Sequence, residues 1–230
     1  REKKASRYPE LYSDLRAEFQ IEYDAFYDES KKITAVLAKE FEMRKAAYRS
    51  QRSRTSRSGV LNTSKLHNYK FSDDIFKSLT VIADDKSHGM IMMIDYSGSM
   101  SSVINSVIKQ TLNLAFFCKK VNIPFKVFGF TNSNDVIDDD VAAGHLGPFL
   151  YTSSTAVFEL LNSSLKPKEF DKAAFDLYFY SKIETQPITS VYERLGSTPL
   201  NQALLGMEYI IDDFRKSTNV QKMNFVLLTD

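Results

Sequence analysis

The run GMIMMIDYSGSM, Gly89 to Met100, constrains the fold of this chain more than any other stretch. Met90 to Ile94 is apolar without a break. A strand that faces water on one side alternates polar and apolar residues, whereas a strand covered on both faces does not. The run therefore predicts a central strand buried from both sides. It ends on Asp95, and Ser97 and Ser99 follow at every second position. In an extended turn such residues project to the same side. A carboxylate and two hydroxyls are thus expected together where a buried strand meets the surface.

The residues that follow read as alternating α and β. Ser101 to Val121 predicts a helix, with Ile104, Val107, Ile108, Leu112, Ala115 and Phe116 along one side, and Ile123 to Phe130 predicts a second strand. Asn132 to Asp140 is polar and acidic, and a loop is expected there. Between residues 141 and 190, the apolar segments Val157 to Leu161 and Ala174 to Tyr180 are expected as short helices between loops. Pro199 opens a helix running to about Phe214, with Thr198 as its cap, and Met223 to Leu228 is a third strand closed by Thr229 and Asp230. Crossovers of this length predict an α/β fold, a doubly wound and mostly parallel sheet with helices on both faces. Such sheets bind ligands at the C-terminal ends of their strands.

The N-terminal third is different in kind. Residues 10 to 45 predict a long helix, with Leu11, Leu15 and Phe19 at every fourth position and Tyr23, Phe26, Ile33, Leu37 and Phe41 continuing less regularly. A break near Asp28 to Ser30 is allowed by the pattern. From Met43 to Lys70 there are eight basic residues and no acid: Arg44, Lys45, Arg49, Arg52, Arg54, Arg57, Lys65 and Lys70. The centre of this stretch is polar and aperiodic, so a basic linker or arm is expected. A solvated face is one use for it, and contact with nucleic acid or an acidic protein surface is another. No aromatic residue interleaves the arginines from Arg49 to Arg57, which disfavours stacking on single-stranded bases. The expected organisation is a helical region over residues 1–45, a basic arm over 46–86 and an α/β domain over 87–230.

Charge overall names no partner, since 30 Lys and Arg stand against 29 Asp and Glu. The single cysteine, Cys118, sits in an apolar helical pattern and reads as a core residue. A reducing, cytoplasmic setting is expected, and no stretch is long and apolar enough to predict a membrane span. His67, His88 and His145 show no ligand spacing. Asp135 and Asp138 to Asp140 read as a solvated acidic loop, with calcium binding as the alternative. No glycine-rich loop ending in Gly-Lys-Ser/Thr is present, so a nucleotide would have to be hydrolysed by another protein. No Ser-His-Asp arrangement is apparent, and no catalytic residue is expected.

Asp95, Ser97, Ser99, Thr198 and Asp230 all fall at element ends on the same predicted edge of the sheet. They offer two carboxylates and three hydroxyls, all hard oxygen donors. Without histidine or cysteine, such a set suits magnesium, or manganese, rather than zinc or copper. An ion with so few anionic ligands would keep electrophilic character and could accept a carboxylate from a partner molecule. Read alone, an Asp-x-Ser-x-Ser turn is also compatible with local side-chain capping at a strand end. Tyr96, between the ligands, could flank an incoming partner group.

Asp95-Tyr-Ser-Gly-Ser99 resembles the signature of von Willebrand factor A-type (VWA) domains, over residues 87–230. The metal-ion-dependent adhesion site of that family uses Asp-x-Ser-x-Ser, a threonine and a strand-end aspartate, which the resemblance carries to Asp95, Ser97, Ser99, Thr198 and Asp230. Gly196 to Leu204, GSTPLNQAL, is similar to the threonine loop and the helix after it. Within the family, Arg57 to Leu66 and Phe128-Gly-Phe-Thr131 resemble the CobT-type subunit of cobalt chelatase and its bacterial and phage relatives. That resemblance implies a hexameric AAA+ ATPase partner of the chelatase or MoxR type, for which the A-type domain is an adaptor. It also implies two departures. A longer protein is expected, because a VWA sheet continues after its second metal aspartate, and the acidic segment usual before the domain is replaced here by a basic one. Two other roles stay open: the non-ATPase subunit of a chelatase inserting cobalt or magnesium into a tetrapyrrole, and a nucleic-acid-binding or virion-associated protein using the basic arm.

Overall fold

The structure is a computed structural model, and it describes residues 9–52, 54–68, 70–71, 76–81, 87–132, 150–152, 155–183, 196 and 198–230. The acidic loop with Asp135 and Asp138 to Asp140, and His145, lie outside the described residues. The chain divides into two compact units, Arg1–Leu37 with Ser87–Asp230, and Ala38–Lys86. The unit that contains the α/β sheet also takes in the first part of the N-terminal helix.

In chain order the elements are helix α1 (Pro9–Arg52), strands β1 (Arg54–Leu61) and β2 (Phe76–Val81), β3 (His88–Asp95), α2 (Ile104–Lys120), β4 (Phe125–Thr131), β5 (Leu150–Thr152), β6 (Thr155–Asn162), α3 (Pro167–Lys182), α4 (Leu200–Thr218) and β7 (Lys222–Leu228). Helix α1 runs unbroken through Asp28 to Ser30. The basic stretch is not irregular throughout: helix continues to Arg52, and Arg54–Leu61 pairs antiparallel with Phe76–Val81, Arg54 opposite Val81 and Arg57 opposite Ser78. Side-chain alternation is weak in this polar segment, which hid its strand character.

The main sheet has five described strands in the order β5-β6-β4-β3-β7. Strand β3 is parallel to both neighbours, β4 and β7, while β6 is antiparallel to β4 and to β5. The sheet is therefore mixed rather than mostly parallel. The segment Val157 to Leu161, expected as a short helix, lies inside strand β6. A short apolar run fits a doubly buried strand as well as a buried helical turn, and only its neighbours decide. Ala174 to Tyr180 does lie in a helix, α3, which opens on Pro167. There Lys166 N–H donates to the Glu169 carboxylate at 3.3 Å and covers one otherwise unpaired amide.

Alternation along β3 divides the core. Ile91 and Met93 point to one side and pack with Phe128, Phe130, Ala203, Met207 and Phe214, so α4 covers that face. Met92 and Ile94 point to the other and pack with Ile108, Leu112, Ala115, Cys118 and Phe175, so α2 and α3 cover it. Both faces of β3 are dry, as its unbroken apolar run requires. Each such side chain contributes about 1.5–3 kcal/mol when fully buried. Cys118 is buried, and burial pushes its thiol up to about 12.

The first part of α1 belongs to this core. Tyr23 is buried against the rings of Phe175 and Tyr178, with centroids 5.2 Å and 5.3 Å away. Arg16 pairs with Asp176 and lies 4.6 Å over the Phe175 ring. Farther along, the expected apolar stripe does not turn inward. Ile33 and Leu37 are exposed, and the buried positions there are Ser30, Thr34 and Ala38.

Candidate functional site

Asp95 is the last residue of β3 and is fully buried. Its Oδ2 accepts a hydrogen bond from the Thr229 hydroxyl at 2.8 Å. The parallel register between β3 and β7 pairs Ile94 with Leu228, so Thr229 arrives opposite Asp95 and Asp230 one step beyond. The other carboxylate oxygen, Oδ1, is buried and has no hydrogen-bond partner among the described residues. Leaving a buried charged acceptor half satisfied costs about 1–3 kcal/mol or more, and a buried unpaired group calls for a ligand, an ion or water.

The chain then turns through Tyr96 and Ser97 into a short 3-10 segment, Gly98–Ser102. The Ser97 and Ser99 hydroxyls lie 3.1 Å apart, Ser97 buried and Ser99 exposed. The turn is pinned on both sides. Tyr96 N–H donates to the Phe130 carbonyl at 2.9 Å, and the Thr131 hydroxyl donates to the Tyr96 carbonyl at 3.1 Å. From the loop before α4, Gly196 N–H donates to the Tyr96 carbonyl at 2.8 Å, and the Gly196 carbonyl accepts from Gly98 N–H at 2.7 Å. This two-bond bridge holds Gly196 against the serine turn and sets Thr198 two residues away. A Cβ at Gly196 would stand 2.5 Å from the Asn132 carbonyl oxygen and 2.8 Å from the Thr131 hydroxyl, so only glycine lets the loop approach this closely.

Helix α4 begins at Leu200, and Pro199 occupies the cap position without a side-chain capping bond. The expected cap, Thr198, lies one residue outside that position and makes no side-chain hydrogen bond among the described residues. Thr198 and Asp230 are both exposed at this edge. The turn brings the Ser97 and Ser99 hydroxyls together directly after Asp95, while backbone pairing delivers Asp230 and Thr198 to the same end of the sheet without a side-chain bond to them among the described residues. Tyr96 does not flank the opening. It is buried with its ring 5.3 Å from that of Phe158.

Sequence reasoning missed three contributors. Thr229 holds Asp95, and its position just before the strand-end aspartate was the available signal. Gly196, at the start of the stretch that resembles the threonine loop, makes the bridge to the serine turn, a role the sequence did not assign it. Asn132, just past β4, has a buried Oδ1 with no partner among the described residues.

The donor chemistry fits a hard divalent ion. One buried carboxylate oxygen lacks a partner, and two hydroxyls follow it on one turn. No group of three or more His, Cys, Asp or Glu side chains forms a metal cluster among the described residues. An ion here would therefore rest on hydroxyl and water oxygens as well as carboxylates, as magnesium does. No helix among the described residues is long and apolar enough to cross a membrane. No family model, curated protein or solved structure matches this chain.

Proposed function

We propose that this protein is a magnesium-dependent protein-binding module of VWA type, with Asp95, Ser97, Ser99, Thr198 and Asp230 as the metal-binding set and manganese as an acceptable substitute. The observation that carries the reading is the buried Asp95 carboxylate: one oxygen is held by Thr229 and the other has no partner among the described residues, and the Ser97 and Ser99 hydroxyls follow on the next turn. A bound magnesium would supply an electrophilic centre for a carboxylate of the partner protein. Asp95 and Ser97 would be its fixed ligands, because both are buried and bound into a pinned turn. Ser99, Thr198 and Asp230 are exposed and would complete the set from the solvent side.

The partner implied by the sequence resemblance is a hexameric AAA+ ATPase, with this chain as its adaptor. Titration of magnesium into EDTA-treated protein tests the metal. Capture of partners from source lysate, with magnesium and with EDTA, beside Asp95→Asn, tests its use. Capture of an AAA+ ATPase by wild type alone, and only with magnesium, is the expected result. Magnesium binding without such capture would remove the motor from the proposal. Failure to bind magnesium at all would remove the site.

A further inference from the structure

A second site lies far along the chain from the serine turn, where α1, the end of α2 and the start of α3 meet around a cavity of ≈ 310 Å³. All three walls belong to the unit containing the main sheet. Tyr27, Phe116 and Phe170 give it an aromatic lining, with the Tyr27 and Phe116 rings edge to face at 5.3 Å and Phe116 and Phe170 at 6.1 Å. Lys31, Lys119 and Lys120 stand around these rings, against one carboxylate, Asp171. The lining therefore carries three positive charges and one negative charge.

One wall group has no work in the protein itself. Thr34 lines the cavity, is 4% exposed, and its hydroxyl has no hydrogen-bond partner among the described residues. A threonine inside a helix ordinarily donates to the carbonyl four residues back. Thr111 of α2 does so, to Val107 at 2.9 Å. Thr34 does not, although the preceding turn is helical. An unpaired buried hydroxyl destabilises the protein unless something else accepts its proton. Lys119, on the facing wall, is partnered but partly desolvated. Its ammonium lies 3.7 Å over the Phe170 ring and donates to the Leu165 carbonyl at 3.3 Å, yet burial still lowers its pKa, with Asp171 opposing.

We propose that this cavity binds a small amphipathic carboxylate, with its apolar body against Tyr27, Phe116 and Phe170 and its anionic head between Lys119, Lys31 and the Thr34 hydroxyl. The aromatic walls select an apolar body, the excess of lysines selects an anion, and the buried hydroxyl supplies a directed donor. The volume is at the lower end for ligand cavities and suits a molecule on the order of a dozen non-hydrogen atoms. This site is independent of the metal reading, so binding is expected to be the same in magnesium and in EDTA.

The test is calorimetric titration with 4-phenylbutyrate and with 4-phenylbutanol, which keeps the apolar body and lacks the charge. For a ligand of this size a dissociation constant on the order of 1 mM is expected for the acid, with the alcohol at least about tenfold weaker. Thr34→Val should weaken the acid several-fold while leaving the melting temperature equal or higher, since it deletes an unpaired polar atom. Lys119→Gln should weaken it by about tenfold, and the exposed Lys31→Gln serves the same purpose if Lys119 proves needed for folding. Equal binding of acid and alcohol would overturn the proposal. So would unchanged affinity in both Thr34→Val and a lysine variant, or no binding at about 10 mM acid.

Discussion

The buried Asp95 carboxylate offers the sharpest test of the metal reading through Asp95→Asn. The substitution preserves shape, and the asparagine oxygen can still accept from Thr229, 2.8 Å away in the wild type. The atom replaced at Oδ1 is already without a partner, so one unsatisfied polar atom is exchanged for another. In EDTA the variant should therefore be at least as stable as wild type, because it also removes a buried, half-satisfied charge. In magnesium the two should part. A ligand that binds only the folded state stabilises it by RT ln(1 + [L]/Kd), about 2.7 kcal/mol at a hundredfold excess over Kd. For a domain of this size that is a rise of roughly 5–10 °C in melting temperature. The variant, lacking the buried anionic ligand, should show almost none. Differential scanning calorimetry of both proteins in EDTA and in magnesium reads all four values. A wild type that gains nothing from magnesium, or a variant that gains as much, would refute the argument from the orphaned oxygen. A variant much less stable in EDTA would show that Asp95 serves the apo fold instead.

Four further outcomes follow from the same geometry. Thr229→Val should cost about 1–3 kcal/mol in EDTA, measured by urea unfolding, because it removes the donor to Asp95, and Thr229→Ser should restore it. Gly196→Ala should cost about 1–3 kcal/mol and blunt the magnesium response, since its Cβ meets backbone 2.5 Å away and the bridge to Tyr96 and Gly98 must open. Tyr23→Ala should cost about 3–5 kcal/mol in a single unfolding transition, because Tyr23 is buried among the α3 rings; a separate low-stability transition for α1 would contradict its place in the core. Glu22 is held below its usual 4.5, first by the hydrogen bond from Lys182 at 2.8 Å. Its folded pKa lies below the unfolded one, so the small stabilisation is complete above about pH 4.5 and is lost as pH falls through the lowered value. Glu22→Gln should flatten that part of a stability-against-pH curve.

Some elements are legible in the local pattern and others are not. Strand β3 announced itself because five consecutive apolar residues can only be covered on both faces, and Ile91 with Met93 against Met92 with Ile94 do face two separate cores. Helix α2 followed from its apolar spacing, and α4 from Pro199 at its start. Strand β6 did not, because an apolar run of its length has no intrinsic preference between strand and buried helix, and its pairing with β4 and β5 decides. On α1, Ile33 and Leu37 fell in the periodic stripe but stay exposed, while Ser30 and Thr34 turn inward. The periodicity finds a helix; it does not say which side meets another element.

The candidate site divides in the same way. Asp95, Ser97 and Ser99 lie within five residues, so the sequence by itself determined that a carboxylate stands at a strand end with two hydroxyls on the turn that follows. That Asp95 has one oxygen bonded and one unpartnered was decided only by tertiary structure, because the donor Thr229 comes from the neighbouring strand and depends on the β3–β7 register. The same holds for Thr198, brought in by the bridge between Gly196 and the serine turn, and for the Thr34 cavity, whose walls come from three separate helices. Local pattern records the preferences of one segment for water or for a buried face. Which segments meet, and which polar groups they leave unpaired, depends on contacts between residues far apart in the chain, and no single segment carries that information.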